Sequence, residues 1–114
     1  MENESCKFSY NEIDDSLIVS CKKDDENVKE RFNLGNFIFN LTGRGKIVGI
    51  QILNASEVLT DYNLNSNILS ELKNVNLNIT KKEGLLGVAL ILTFQNQQGK
   101  ISIPLMNLNH PIIK

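Results

Sequence analysis

Hydrophobic and polar residues alternate along most of this chain, in short runs separated by turn-forming segments. Alternation with a period of two is typical of strands that bury one face. It predicts about eight strands, and short turns without a helix between successive strands favour antiparallel pairing. The predicted fold class is α+β, mainly β: antiparallel sheet in two meanders, with one short helix packed on the sheet.

The first two predicted strands form a hairpin around the segment NEIDD, residues 11–15. If Asn11 pairs with Ser16 around a four-residue loop, the apolar residues of both strands share one face. A slip of one residue would turn half of them to the other face, so the pattern selects this register. It makes three pairs on the core face: Tyr10 with Leu17, Phe8 with Val19, and Cys6 with Cys21.

A second hairpin is predicted around residues 42–45, where Gly43 and Gly45 permit the positive φ angles of tight turns. A strand over about 28–34, ended by Gly35-Asn36, precedes it. The predicted register of the second hairpin pairs Leu41 with Lys46, Phe39 with Val48, and Phe37 with Ile50.

Leu64, Ile68 and Leu72 recur every fourth residue, which predicts a short amphipathic helix over about 66–74. Ser66 or Asn67 is its expected N-cap, and residues 57–65 are expected to be irregular. A helix of two or three turns does not persist alone in water, so it should pack on the sheet. The small residues Gly87 and Ala89 are where we expect it to rest.

The chain is predicted to form a single domain over residues 1–114. Its parts are a five-stranded portion over 8–56, a connection with the helix over 57–74, a three-stranded meander over 75–106, and a tail over 107–114. Pro104 has no backbone N–H, so its strand is expected at an edge or with residue 104 on an unpaired side.

Composition and charge exclude several classes of protein. Hydrophobic residues make up 41% and charged residues 22% of the 114, and the formal net charge is −1. A globular protein with no nucleic-acid partner is therefore expected, because binding to phosphates usually requires a basic surplus. No apolar run follows the acidic start MENE, and the longest one, Leu85–Leu92, is too short to cross a bilayer. We expect a cytoplasmic protein with no membrane association, in which Cys6 and Cys21 are reduced thiols.

Three features of residues 8–56 stand out together: Tyr10, the run Asp15-Ser16-Leu17-Ile18-Val19, and the segment GKIVGIQILNAS from Gly45 to Ser56. In these features the chain resembles a family of small prokaryotic proteins known as domain of unknown function 2283. This chain departs from the family pattern at Asn11, where Asp is usual, and at Gln51, where Glu is usual. The resemblance implies a compact β-rich module and no established activity. Because similar small proteins are encoded beside predicted toxins, it also implies an antitoxin-like or other partner-binding role.

Few residues carry recognisable chemistry. His110, the single histidine, lies in the predicted tail, where a catalytic base would be poorly positioned. Glu12, Asp14 and Asp15 could bind a hard cation, although a solvated turn explains them as well. Cys6 and Cys21 would be only two of the four ligands that a zinc site needs, so packed thiols are the simpler interpretation. The Gly43-Arg44-Gly45 loop joins strands and does not open a helix, so a turn is favoured over a phosphate site.

Two functional hypotheses follow from the sequence. The first is a non-enzymatic protein-interaction module, antitoxin-like or homodimeric, that pairs through a strand edge or an apolar face. The second is a small ligand-binding or metal-binding protein, or a hydrolase, with an acidic pocket formed by Glu12, Asp14, Asp15 and Glu30. The first is preferred because ionisable groups rarely cluster in this sequence. No catalytic, cofactor-binding or metal-binding residue and no cofactor is assigned.

Overall fold

A computed structural model of the chain describes residues 2–82, 85–95 and 97–107. These residues form eight strands, one α-helix and one 3₁₀ turn. In chain order they are β1 (Glu2–Asn11), β2 (Ser16–Ser20), β3 (Glu30–Leu34), β4 (Phe37–Leu41), β5 (Ile47–Ile52), α1 (Ala55–Asp61), the 3₁₀ turn (Ser66–Ser70), β6 (Leu72–Lys82), β7 (Leu85–Phe94) and β8 (Gln97–Asn107). The α+β, mainly β, class is confirmed.

All eight strands belong to one antiparallel sheet in the order β3-β4-β5-β2-β1-β6-β7-β8. The sheet depends on β1, which is shared between two halves. Its C-terminal part, from Lys7 to Asn11, pairs with β2, whereas its N-terminal part, from Glu2 to Cys6, pairs with β6. Cys6 is therefore the residue at which β1 passes from one half of the sheet to the other.

The buried side chains of both halves form one continuous core. Fully buried residues include Phe39 and Ile50 from the first half and Leu90 and Ile101 from the second, and they belong to the same cluster. Phe37 of β4 and Ile103 of β8 line one depression although their strands are far apart in the sheet order, so the sheet bends and the inner faces of its halves approach each other. The helix α1 contributes Ala55, Val58 and Leu59 to this core.

The first hairpin has the predicted register. Tyr10 pairs with Leu17, Phe8 with Val19 and Asn11 with Ser16. The second hairpin differs from its predicted register by two residues, because Phe39 pairs with Ile50 and Phe37 with Ile52. Leu41 pairs with Ile47 and Asn40 with Gly49, which leaves Val48 as the extra residue of a bulge. Beyond the bulge, the shift of two keeps Phe39 and Ile50 on their predicted core face. Before it, the shift is one residue, so Ile47 faces Leu41 in the core in place of the predicted Lys46.

The predicted helix over 66–74 is wrong. The α-helix lies earlier, at Ala55–Asp61, in the segment expected to be irregular, and only Ser66–Ser70 forms a 3₁₀ turn. Leu72 already belongs to β6, and the cap of the turn is Asn65, whose side chain accepts a hydrogen bond from the Asn67 N–H. The helix does not rest on Gly87 and Ala89 either. Both remain partly exposed, because their positions on β7 face away from the buried Val88 and Leu90.

The strands β3 and β8 form the two edges of the sheet. The expected edge position of the strand that contains Pro104 is therefore confirmed. Tyr62, just after α1, donates a hydrogen bond from its hydroxyl to the backbone carbonyl of Ser102, at 3.1 Å, and so occupies one backbone acceptor of β8. The predicted tail, including His110, lies outside the described residues apart from Asn107, which ends β8.

Cys6 and Cys21 are joined by a disulfide bond, with a Cα–Cα distance of 4.5 Å. Their prediction as cross-strand neighbours on the core face is confirmed, and both are largely buried. The expectation of reduced thiols is wrong: it rested on the inferred compartment, whereas the register brings the two sulfur atoms within bonding distance. The bond extends the β1–β2 pairing to the residue where β1 begins to pair with β6.

We expect the disulfide to stabilise the fold by about 3 kcal/mol, because it closes a loop with a sequence separation of 15 residues in the unfolded chain. Urea unfolding with and without dithiothreitol measures this difference. A Cys6→Ala, Cys21→Ala variant should be destabilised similarly and should no longer respond to the reductant. Equal unfolding midpoints for the oxidised and reduced wild-type protein would contradict the expectation.

Candidate functional site

The turn between β1 and β2 holds the most developed polar network of the described residues. Asp15 adopts a left-handed conformation, with φ of 52°, which Asp tolerates better than most residues. Its carboxylate accepts hydrogen bonds from the Tyr10 hydroxyl at 2.6 Å and from the Ser56 hydroxyl at 2.6 Å. It also accepts from the Ser56 backbone N–H, at 3.1 Å and 3.3 Å to its two oxygens.

Asp15 caps the helix α1 from a distant part of the chain. The residue at the N-cap position, Asn54, makes no side-chain capping bond. The Asp15 carboxylate binds the N–H of the second helical residue, Ser56, and the Asp15 carbonyl accepts the N–H of the first, Ala55, at 2.9 Å. These are the bonds that a local cap normally supplies, and a negative charge at a helix N-terminus is favourable. The position of the helix is thus tied to the first hairpin.

The same contacts shift the pKa values of Asp15 and Tyr10 away from neutral pH. The hydrogen bonds from Ser56 and then from Tyr10 lower the pKa of the Asp15 carboxyl. The hydrogen bond to Asp15, together with partial burial, raises the pKa of Tyr10 to about 12. A general acid or base works best with a pKa near the operating pH, so this network is suited to holding structure and not to proton transfer.

Ile13 is presented at the tip of this fixed turn. Its side chain is 97% exposed, the highest value among the large hydrophobic residues of the described chain. Its backbone N–H donates to the Asn11 side chain at 2.9 Å, and the Ser16 hydroxyl donates to Asp14 at 2.7 Å on the other side of the tip. Leu53, which is 36% exposed, lies at the same end of the sheet, two residues before α1. The turn therefore holds an apolar side chain in solvent with little backbone freedom.

The structure does not assemble the acidic pocket of the second hypothesis. Glu30 pairs with Leu41 at the end of β3 that is far from the first hairpin turn. Leu34, at the other end of β3, lies in the row of paired residues nearest to that turn. Four residues of strand separate those positions, which is about 13 Å. Asp15 is bound to Ser56 and Tyr10, and within residues 2–82, 85–95 and 97–107 no three acidic, histidine or cysteine side chains are placed to hold a metal ion.

The Gly43-Arg44-Gly45 loop is a hairpin turn in which the backbone N–H groups of Arg44 and Gly45 are already used. The Thr42 hydroxyl oxygen accepts the N–H groups of Arg44, at 3.3 Å, and Lys46, at 3.2 Å. Those donors would be needed to cradle a phosphate, so the turn interpretation is the better one. Lys46 also forms an ion pair with Glu26 at 2.8 Å, and this hydrogen bond lowers the pKa of Glu26.

Comparison with protein-family models gave no match, and neither curated proteins nor solved structures gave a significant one. The similarity of residues 8–56 to domain of unknown function 2283 therefore stays a prediction. Three of the residues that carry this similarity lie together in the structure, because Tyr10 and Ser56 both donate hydrogen bonds to Asp15. No helix in the described part of the chain is long and apolar enough to cross a membrane.

Two features of this site were missed by sequence reasoning. The Ser56 contact spans 41 residues and leaves no local signal. Ile13 did leave a signal, since a branched apolar residue between Glu12 and Asp14 is unusual in a turn, where Gly, Asn, Asp, Ser and Pro dominate.

We expect Asp15→Asn to lower the free energy of unfolding by about 2 kcal/mol, because hydrogen bonds to a charged group each contribute roughly 1.5–3 kcal/mol. The asparagine keeps the shape of the side chain but has one acceptor oxygen and no charge. Urea unfolding at neutral pH measures the loss. Asp24→Asn, in an exposed loop, is the control and should change stability by less than about 0.5 kcal/mol. Similar effects of the two substitutions would refute the capping role.

We expect the Tyr10–Asp15 bond to give stability a dependence on pH at both extremes. The pKa of Asp15 is lowered on folding, so its contribution is present above its ordinary pKa of 3.8 and is lost as the pH falls through the lower folded value. The pKa of Tyr10 is raised, so its contribution is present below 10.0 and is lost as the pH rises through about 12.

Absorbance titration of tyrosinate measures the pKa of Tyr10, which sets the upper end of this pH dependence. Tyr10 and Tyr62 are the two tyrosines of the chain, so Tyr62→Phe leaves Tyr10 alone to titrate. Its pKa should lie near 12 and fall towards 10 when Asp15→Asn is added. A midpoint near 10 in both proteins would show that the hydrogen bond does not form in solution.

Proposed function

We propose that this protein is a non-enzymatic interaction module that binds a partner protein through the tip of its first hairpin. The observation that carries the proposal is the 97% exposure of Ile13 on a turn held by hydrogen bonds on both sides. Burying such a side chain in a partner is favourable by roughly 1.5–3 kcal/mol. Because the turn is already ordered, little conformational entropy is lost on binding.

The charges around Ile13 define the chemistry of the partner. Glu12 and Asp14 flank it directly, and Glu57 lies in the first turn of the adjacent helix. We therefore expect an apolar pocket with a basic rim. Charge complementarity of this kind speeds encounter and rejects wrong partners. A second copy of this chain is less suitable, because two such tips would bring like charges together.

The sheet edges are less suitable for pairing than the tip. β8 carries Lys100 and Pro104, and one of its carbonyls accepts the Tyr62 hydroxyl, all of which oppose the addition of a strand. β3 has five residues and begins with the charged pair Glu30 and Arg31. An antitoxin-like role, which the family resemblance implies, is one form that binding through the tip would take.

Our proposal includes the cytoplasmic location expected from the sequence. This location requires that the disulfide resist reduction in the cytosol. Cytosolic glutathione and thioredoxin reduce most exposed disulfides. Here both cysteines are buried, at 9% and 8% exposure, which limits attack by an external thiolate. Cell fractionation tests the location, and recovery of the protein outside the cytoplasmic fraction would refute it. Alkylation of free thiols in the acid-quenched cytoplasmic fraction tests the bond: complete labelling of Cys6 and Cys21 would show that it forms only after lysis.

We expect Ile13→Ser to weaken partner binding at least 30-fold, which corresponds to a hot-spot loss of about 2 kcal/mol. A photo-crosslinker at position 13 captures the partner, mass spectrometry identifies it, and titration of the purified pair gives the affinity. Val28→Ser is the matched control, because Val28 is also an exposed branched residue and lies near the opposite end of the sheet.

The proposal fails if Ile13→Ser and Val28→Ser bind the purified partner with equal affinity, or if no protein crosslinks specifically at position 13. Sedimentation of the wild-type protein alone separates the homodimer alternative: a dimer that Ile13→Ser dissociates would make a second copy the partner. Unfolding curves of both variants should match that of the wild type, because neither side chain belongs to the core.

A further inference from the structure

The outer face of β6, β7 and β8 contains a depression of about 350 Å³. Asn78, Ala89 and Ser102 lie in one row across the three strands, and Thr80 pairs with Gly87 in the next. Lys100 stands two residues from Ser102 on the same face of β8. The volume of the depression is at the lower end of the range for small-molecule sites. The depression is on the side of the sheet opposite to the core.

Gly87 forms the floor, and the fold itself does not require a glycine there. Its φ is not in the left-handed region, and a Cβ at this position would meet its nearest neighbour, the Thr80 carbonyl oxygen, at 3.9 Å. A glycine inside a strand weakens the strand and often marks the close approach of a ligand. The missing side chain, followed by the small Ala89, keeps the depression open.

The polar groups around this floor have unused binding capacity. Lys100 is the charged residue of the described lining, and it makes no ion pair or hydrogen bond with the described part of the chain. The hydroxyls of Thr80 and Ser102 are exposed. The lining thus carries a positive charge, hydroxyl groups, an amide and an apolar floor.

We propose that this depression binds a small organic anion. Its charged group pairs with the Lys100 ammonium and accepts hydrogen bonds from the hydroxyls of Ser102 and Thr80. Its flat apolar part rests on Gly87 and Ala89. This site is separate from the hairpin tip, so its loss and the loss of partner binding are independent outcomes.

Benzoate, phenyl phosphate, inorganic phosphate and the neutral benzamide are suitable probes, titrated against the full chain. Backbone amide shifts of Gly87, Ala89 and Ser102 report on binding by nuclear magnetic resonance. Benzoate or phenyl phosphate should saturate these shifts at millimolar concentration. Benzamide should bind at least 10-fold more weakly, because it lacks the charge that Lys100 attracts. Inorganic phosphate should also bind at least 10-fold more weakly than phenyl phosphate, because it has no ring to cover the floor.

Two variants test the site directly. Gly87→Val should abolish probe binding while leaving the fold intact, because the added atoms fill the open depression and branched residues suit strands. Lys100→Gln should weaken benzoate at least 10-fold, whereas Lys73→Gln, an exposed lysine of β6 outside the depression, should leave binding unchanged.

Any of three results would overturn the proposal: no saturable shift with either aromatic anion, equal affinity for benzoate and benzamide, or wild-type affinity in folded Gly87→Val. Equal affinity for phosphate and phenyl phosphate would reject the apolar floor and leave a simple anion contact. If Gly87→Val does not fold, Gly87→Ala provides a smaller filling, which should weaken binding at least several-fold.

Discussion

The first hairpin is fixed at both ends, and the arrangement of the other elements depends on it. At one end the Cys6–Cys21 disulfide holds the hairpin where β1 passes from β2 to β6. At the other end the Asp15 carboxylate binds Tyr10 within the hairpin and Ser56 in α1. One attachment therefore reinforces the junction between the two halves of the sheet, and the other sets where the helix begins.

The two attachments also separate the surfaces of the molecule by role. The inner faces of both sheet halves and the apolar side of α1 are buried in one core. What remains for recognition is the turn held by Asp15 and the outer face of β6–β8. The first is convex, apolar and bordered by acids. The second is concave, polar and carries the positive charge of Lys100. Surfaces of such different chemistry suit different ligands.

Sequence reasoning succeeded where side-chain alternation and loop length agreed. In the first hairpin only one register satisfied both, and it was correct down to the facing cysteines. In the second, the pairing is displaced by one residue at Leu41, and the bulge at Val48 adds one more. Alternation cannot detect the resulting shift of two, because it leaves Phe39 and Ile50 on the same face.

The helix could not be located from periodicity. The spacing of Leu64, Ile68 and Leu72 matched a helix, but Leu72 starts a strand, and tertiary pairing with β7 outweighed that local pattern. The true helix starts at Ala55, and its N-cap residue Asn54 makes no side-chain capping bond, because the cap comes from Asp15, far away in sequence. Because of the same long-range contact, Asp15 has a structural role, although the sequence favoured a solvated turn.

The division of β1 affects how the chain is made. Residues 2–6 are synthesised well before their hydrogen-bonding partners in β6, such as Val75 and Ile79, which follow about seventy residues later. At roughly 5–20 residues per second, this interval lasts about 4–14 seconds. During it the hairpin, α1 and β3–β5 are already available, while half of β1 has unpaired backbone groups. During this interval the unpaired backbone groups of β1 are open to non-native strand pairing.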